Sequence, residues 1–275
     1  MADEDLTELP TSVLVQRTLA LARSEPVLQS HEYWDHVRVL HVRSGRDVFE
    51  AGTELCSSQD TISRAVGADI LAQLGVRDGG GEFPFADEAE GRLVALLTDI
   101  DRMVISSALF ALGHLGRGEP SHLARLATHA SEDVRHALAY ALGGRTDAIS
   151  VATLIQLSGD EDADTRNWAT FALGSLIDQD SPAIREALLA RFTDADEEVR
   201  GEAILGLAKR GDERVAQPLL RELSRHDVGT LAIEAAEAMP RPEFIPGLEA
   251  LYSAHPGDQT IDQALNRCRE VAQNR

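Results

Sequence analysis

Small apolar residues recur along this 275-residue chain at a spacing that suits one face of a helix, and one short phrase carries them each time. Its clearest copies are VRHALAYALGG, TRNWATFALGS and VRGEAILGLAK; SRAVGADILAQLG, VISSALFALGHLG and LAIEAAEAM are weaker ones. The second position of the clear copies is Arg, and the corresponding slot falls at 64, 105, 135, 166, 200 and 232, that is 41, 30, 31, 34 and 32 residues apart. Three, six and seven residues after the slot stand apolar or small residues in every copy, from Gly67, Ile70 and Leu71 to Ala235, Ala238 and Met239. At about 100° per residue these positions share one sector of a helix, which the pattern assigns to the core. Gly113, Gly143 and Gly174, eight after the slot, are expected near helix ends, where glycine reaches left-handed geometry easily.

A second helix is predicted between successive phrases, at 47–57, 88–98, 120–129, 148–158, 182–192, 213–224 and 243–252. Ser181-Pro182 reads as an N-cap followed by proline at the first helical position, and Pro120 plays a similar part after Glu119. Upstream, Trp34 takes the slot of a further phrase, with Val37 three later, and residues 11–23 form an N-terminal helix. Residues 258–275 form a polar closing helix, because the end of a helical stack has to shield its core from water. A period near 31 means stacked helix pairs. The expected fold class is therefore all-α, an α-solenoid (superhelix) of about seven helix pairs with terminal capping helices. It is read as one domain over 1–275: an N-terminal cap at 1–30, repeats at 31–255 and a C-terminal cap helix at 256–275.

The polar residues of the repeat look functional but have a structural reading. Arg64, Arg135, Arg166 and Arg200 suggest an anion-binding stripe; in a stack they lie beside acidic turns and are expected to form a ladder of guanidinium–carboxylate pairs. Asp160, Asp162 and Asp164 alternate as at the start of a calcium loop, but Thr165 stands where glycine is needed and Phe171 where the closing Glu belongs. These carboxylates are assigned to helix capping.

Composition narrows the partner. The chain carries 26 basic against 46 acidic side chains, a formal net charge of −20, which is the wrong sign for neutralising phosphates and excludes nucleic acid as the expected partner. A basic protein or peptide suits it better, although solubility alone also accounts for such charge. No basic-then-apolar leader opens the chain and no apolar run nears the roughly 20 residues a membrane span needs, so a cytoplasmic location is expected. Cys56 and Cys268, far apart in sequence, are read as reduced thiols.

The phrase, its acidic approach and its period resemble HEAT repeats of the short type first associated with phycobilin lyases, over roughly residues 30–255. The run from Asn167 to Lys209 is also similar to small stand-alone bacterial HEAT proteins, some of which accompany toxin loci. The resemblance implies the fold; scaffolds, inhibitors and a few enzymes share it. Ile105 and Ala232 depart from the pattern in the Arg slot, and so does a Gly-rich insertion at 76–86 that ends Phe83-Pro84-Phe85. This insertion reads as a loop whose aromatics either pack back on the stack or touch a partner; it follows no strand and contains no Lys, which excludes a phosphate loop.

Candidate binding residues are those of the phrase helices that point away from the core, which in HEAT-type stacks line the concave side. Five residues after the slot come Asp69, Phe110, Tyr140, Phe171, Leu205 and Glu237, four consecutive apolar entries on a face expected to be polar. Trp168 joins them, flanked by His114, His136 and Asn167. A central aromatic strip with polar flanks is how a protein interface is composed; alternatively, curvature lets these side chains cover one another. No catalytic constellation appears: G-x-S-x-G is absent, and His122, His129, His114 and His136 have no carboxylate or Cys at ligand spacing. The expected function is thus a non-enzymatic protein-binding scaffold or adaptor, without cofactor or metal, whose partner is a basic protein such as a toxin. The alternative, which the resemblance implies, is a phycobilin-lyase-like or chaperone-like protein holding a tetrapyrrole or a client polypeptide.

Overall fold

The phrase folds as the pattern requires because each copy joins an acidic cap, an arginine and a strip of small residues in one helix. The computed structural model describes residues 5–24, 31–43, 45–74 and 83–274. Among them every regular element is helical, and sixteen α-helices follow one another. The phrases form α2 (His31–Arg43), α4 (Thr61–Leu71), α6 (Arg102–Leu115), α8 (Glu132–Leu142), α10 (Ala163–Phe171), α12 (Glu197–Lys209) and α14 (Thr230–Ala238). Their partners are α3 (Arg46–Cys56), α5 (Ala86–Leu96), α7 (Pro120–Leu123), α9 (Ala148–Leu157), α11 (Pro182–Leu189), α13 (Ala216–Glu222) and α15 (Ile245–Ala254). The end helices are α1 (Thr11–Ser24) and α16 (Gln259–Gln273).

Contacts cluster into two compact units, Met1–Ala141 and Leu142–Arg275. In the first, α4 packs on α6, and α3 on both α4 and α5. In the second, α10, α12, α14 and α16 stack in succession. The end helices are integral to this packing: α1 packs on α2 and α16 on α14 and α15, burying Ile261, Ala264, Leu265 and Cys268. Both cysteines are free and buried.

The core lies on the predicted sector. Ala108, Ala111 and Leu112, and likewise Ala169, Ala172 and Leu173, are fully excluded from solvent. Ala238 departs from the rule and is exposed at the last turn of α14. Asp60, Asp101, Asp162 and Asp196 each accept hydrogen bonds from first-turn amides of the helix they precede, so the acidic turns are caps. Ser181 does the same for Ile184 ahead of Pro182.

The arginines repeat one geometry. Nη1 of Arg64, Arg135, Arg166 and Arg200 donates to the carbonyls six and five residues earlier, at 2.8–3.4 Å. Arg64 also grips Asp99 bidentately at 2.6 and 3.0 Å, and Arg166 grips Asp194 at 2.9 and 2.8 Å. Arg64 and Arg166 thus tie their own approach turns to the next repeat and hold the carboxyls of Asp99 and Asp194 below their usual range, against the opposing effect of burial.

Two glycines differ from expectation. Gly113 lies inside α6, which continues to Gly116 at φ 62°; a Cβ on Gly113 would meet Ala141 Cα at 2.9 Å. Gly174 lies in a π-helical turn, Ala172–Leu176, where a Cβ would stand 3.2 Å from Gly206 Cα. Both permit close helix approach, and neither caps a helix. Residues 76–82 of the Gly-rich insertion lie outside the described part. At its end Phe85 packs back, stacking on Phe49 at 4.8 Å, while the Arg46 guanidinium lies 4.6 Å from the Phe85 ring centre and also binds Glu88.

Candidate functional site

The predicted aromatic residues stand half-buried on the phrase helices, in two groups that belong to different units. In the first unit, Phe110 of α6 meets Tyr140 of α8 edge-on at 5.1 Å and His136 at 6.1 Å. The Tyr140 hydroxyl lies 3.1 Å from the His114 ring, which also receives Gln73 Nε2 at 3.0 Å. Burial lowers the pKa of His114 and raises that of Tyr140, so both are held neutral. The place of Gln73 is legible in the repeat: it lies nine residues after its slot, as His114 does.

Deeper in the same unit, Asp69 sits on the predicted outward register but is buried at 8% exposure. Tyr33 of α2 donates to its carboxylate at 2.6 Å, and His41 Nε2 lies 2.8 Å from its carbonyl oxygen. Burial pushes the Asp69 carboxyl up to about 6, against the pull of Tyr33 and Ser107. Burial also pushes His41 down to about 4. The α2 phrase covers this face, so Asp69 serves packing here.

In the second unit, Trp168 and Phe171 of α10 meet edge-on at 5.6 Å. Asn167 donates to Glu198 at 3.1 Å, while its Oδ1 and Glu202 Oε2 are buried without a hydrogen-bond partner. Burial raises the Glu202 carboxyl to about 7. Lys209 donates to Ser175 at 3.1 Å, again linking the ninth positions of adjacent phrases. Leu205 does not join this surface: it is 3% exposed, because α12 is covered by α10, α11 and α14 and its apolar sector extends from Ala203 to Ala208. Beside these residues a cleft of about 430 Å³ opens at the start of α12 and α14, lined among others by Asn167, Glu198, Glu202, Glu222 and Asp227.

The group in the first unit therefore offers rings and imidazoles, and the group in the second offers rings, an amide and carboxylates. Among the described residues no three His, Cys, Asp or Glu side chains are grouped to hold a metal ion, and no helix is long and apolar enough to cross a membrane.

A family model of HEAT repeats matches residues 119–188 and 151–240. Protein YibA of Escherichia coli strain K12 is 28% identical over 244 residues, covering 84% of each chain. The X-ray structure of E. coli YibA superposes with a TM-score of 0.71 at 26% identity, over 96% of this chain and 94% of that one. A crystallised engineered protein superposes at 0.54 with 20% identity, over 96% and 81% of the two chains, a likeness of fold alone. Residues 119–240 are thus HEAT repeats, as the phrase implied, and the fold class is the all-α solenoid.

Proposed function

We propose that this chain is a non-enzymatic binding protein that grips a basic protein or peptide with the exposed face of its phrase helices. The observation that carries the reading is the two groups of half-buried aromatic side chains on the phrase helices, Phe110 and Tyr140 in the first unit and Trp168 and Phe171 in the second. Large rings at a partly exposed surface supply contact area at small entropic loss, and they dominate binding energy at protein interfaces. His114, His136 and Asn167 give these rings a polar border. The net charge of −20 supports a basic partner, since opposite charge accelerates encounter and disfavours acidic competitors. A basic toxin neutralised by this chain is one version of such a partner.

The test is a pull-down from the native host comparing the wild type with a Tyr140→Ala, Phe171→Ala double variant. The double variant is expected to lose the specific partners while keeping its helical circular dichroism. Recovery of the same partners by a folded double variant would sink the reading.

A further inference from the structure

We infer that the cleft between the first turns of α12 and α14 receives an arginine side chain presented by a protein partner; the inference deepens the proposed function and rests on its basic partner. The repeat itself indicates the chemistry. In α4, α8, α10 and α12 the slot arginine binds the carbonyls six and five residues earlier. In α14 the slot holds Ala232, and the equivalent carbonyls belong to residues 226 and 227. Ala232 and Asp227 both line the cleft, so it is bordered by the α14 approach turn, which has no slot guanidinium to bind.

Further observations favour a cation with a long apolar stem. Glu198, Glu202 and Glu222 line the walls, and the one basic side chain among the lining residues, Arg225, is already bound to Glu222 at 3.0 Å and reaches Glu197 at 3.5 Å. Beside the cleft, Glu202 Oε2 and Asn167 Oδ1 are buried and have no hydrogen-bond partner. Gly201 and Leu231 add apolar lining on which the stem of an arginine can lie. The aspartate that caps α4, α6, α10, α12 and α16 is replaced at α14 by Gly229, which leaves the entrance clear of a capping side chain. Guanidinium is favoured over ammonium because its planar fork matches carboxylate pairs, as the stack's own ladder does.

The test uses a fluorophore-labelled acetyl-(Gly-Arg)₄-amide peptide and its citrulline counterpart, followed by anisotropy at about 50 mM salt, where charge contacts are weakly screened. The arginine peptide is expected to bind the full chain and the citrulline peptide not to bind. A Glu198→Gln, Glu202→Gln double variant, nearly isosteric, should weaken binding about tenfold or more, as loss of charge-assisted contacts does. Ala232→Arg should also block the cleft and raise the melting temperature. Equal binding of the two peptides, or wild-type affinity in the folded Gln double variant, overturns the inference. So does free arginine methylamide binding as tightly as the peptide, which assigns the cleft to a small molecule. The Tyr140→Ala, Phe171→Ala variant separates the two readings. If it loses its native partners while the Gln variant keeps both peptide and partners, the aromatic surface stands and the arginine cleft falls. If it keeps its partners while the Gln variant loses the peptide, the reverse holds.

Discussion

The residues that look most reactive on this chain are the ones most occupied by structure. Arg166 makes two carbonyl hydrogen bonds and a bidentate pair with Asp194, whose side chain is 5% exposed. Replacing it with Met keeps the stem and strands a buried carboxylate, a loss of about 3–5 kcal/mol in the usual range for breaking a buried pair. Urea denaturation of Arg166→Met checks this, and a change below about 1 kcal/mol would mean that Arg191, 3.4 Å from Asp194, suffices alone. The Asp69–His41 pair gives a pH prediction. His41, held near 4 against 6.5 when unfolded, contributes stability that is full above pH 6.5 and is lost as pH falls toward 4. Asp69, raised to about 6 from 3.8, acts oppositely, adding stability as pH falls from 6 toward 3.8. In the wild type these two contributions largely cancel between pH 6 and 4. Asp69→Asn keeps an acceptor for Tyr33 and removes only the Asp contribution, so its stability is expected to fall more steeply than that of the wild type over this window. Parallel slopes in thermal melts across pH 7 to 4 would contradict it.

At the scale of elements, helix pairs approach through glycine where the phrase calls for small residues. A Cβ on Gly206 would lie 2.6 Å from Gly174 Cα, so backbone would have to move. Gly206→Ala should therefore destabilise by about 1–3 kcal/mol through overpacking, although alanine favours the helix itself by nearly 1 kcal/mol. Denaturant melts read the sign directly, and a stabilised variant would show that α10 and α12 can separate without loss. Most of the fold was legible because one physical device repeats: cap, arginine, small residue, leucine. The elements that departed did so where neighbours decided the outcome. The offset of Gly113 alone points to a helix end, but α6 continues to Leu115, and the backbone of the next phrase, at Ala141, comes close to Gly113. The register puts Leu205 on an open face because it counts residues along one helix and is blind to the cover of three others. The π-turn after Phe171 likewise has no mark in the apolar pattern, since it changes hydrogen-bond partners and leaves residue types untouched.

At the scale of the whole molecule, charge is the property that the repeat does not explain. Lys209 is the single lysine among 26 basic side chains, and the slot arginines are bound within the stack. The surplus of carboxylates is therefore left without internal compensation, on the surface and around the α12–α14 cleft. The candidate site was legible as a set of aromatic offsets, whereas the cleft was not, because it arises from Ala232 and Gly229, which read only as a weak copy of the phrase. Two opposing salt effects follow from that distribution. Self-repulsion among surface carboxylates destabilises the compact chain, and salt screens it, with a Debye length of about 10 Å at 0.1 M and shorter above. The arginine ladder is partly buried and short-range, so the same salt weakens it much less. Raising sodium chloride from about 0.05 to 0.5 M should consequently raise the melting temperature of the free protein while lowering its affinity for the arginine peptide. Scanning calorimetry and anisotropy on the same samples give both signs. A melting temperature that falls with salt would mean that exposed pairs such as Arg46–Glu88 and Arg117–Asp87 stabilise the chain more than the net charge destabilises it.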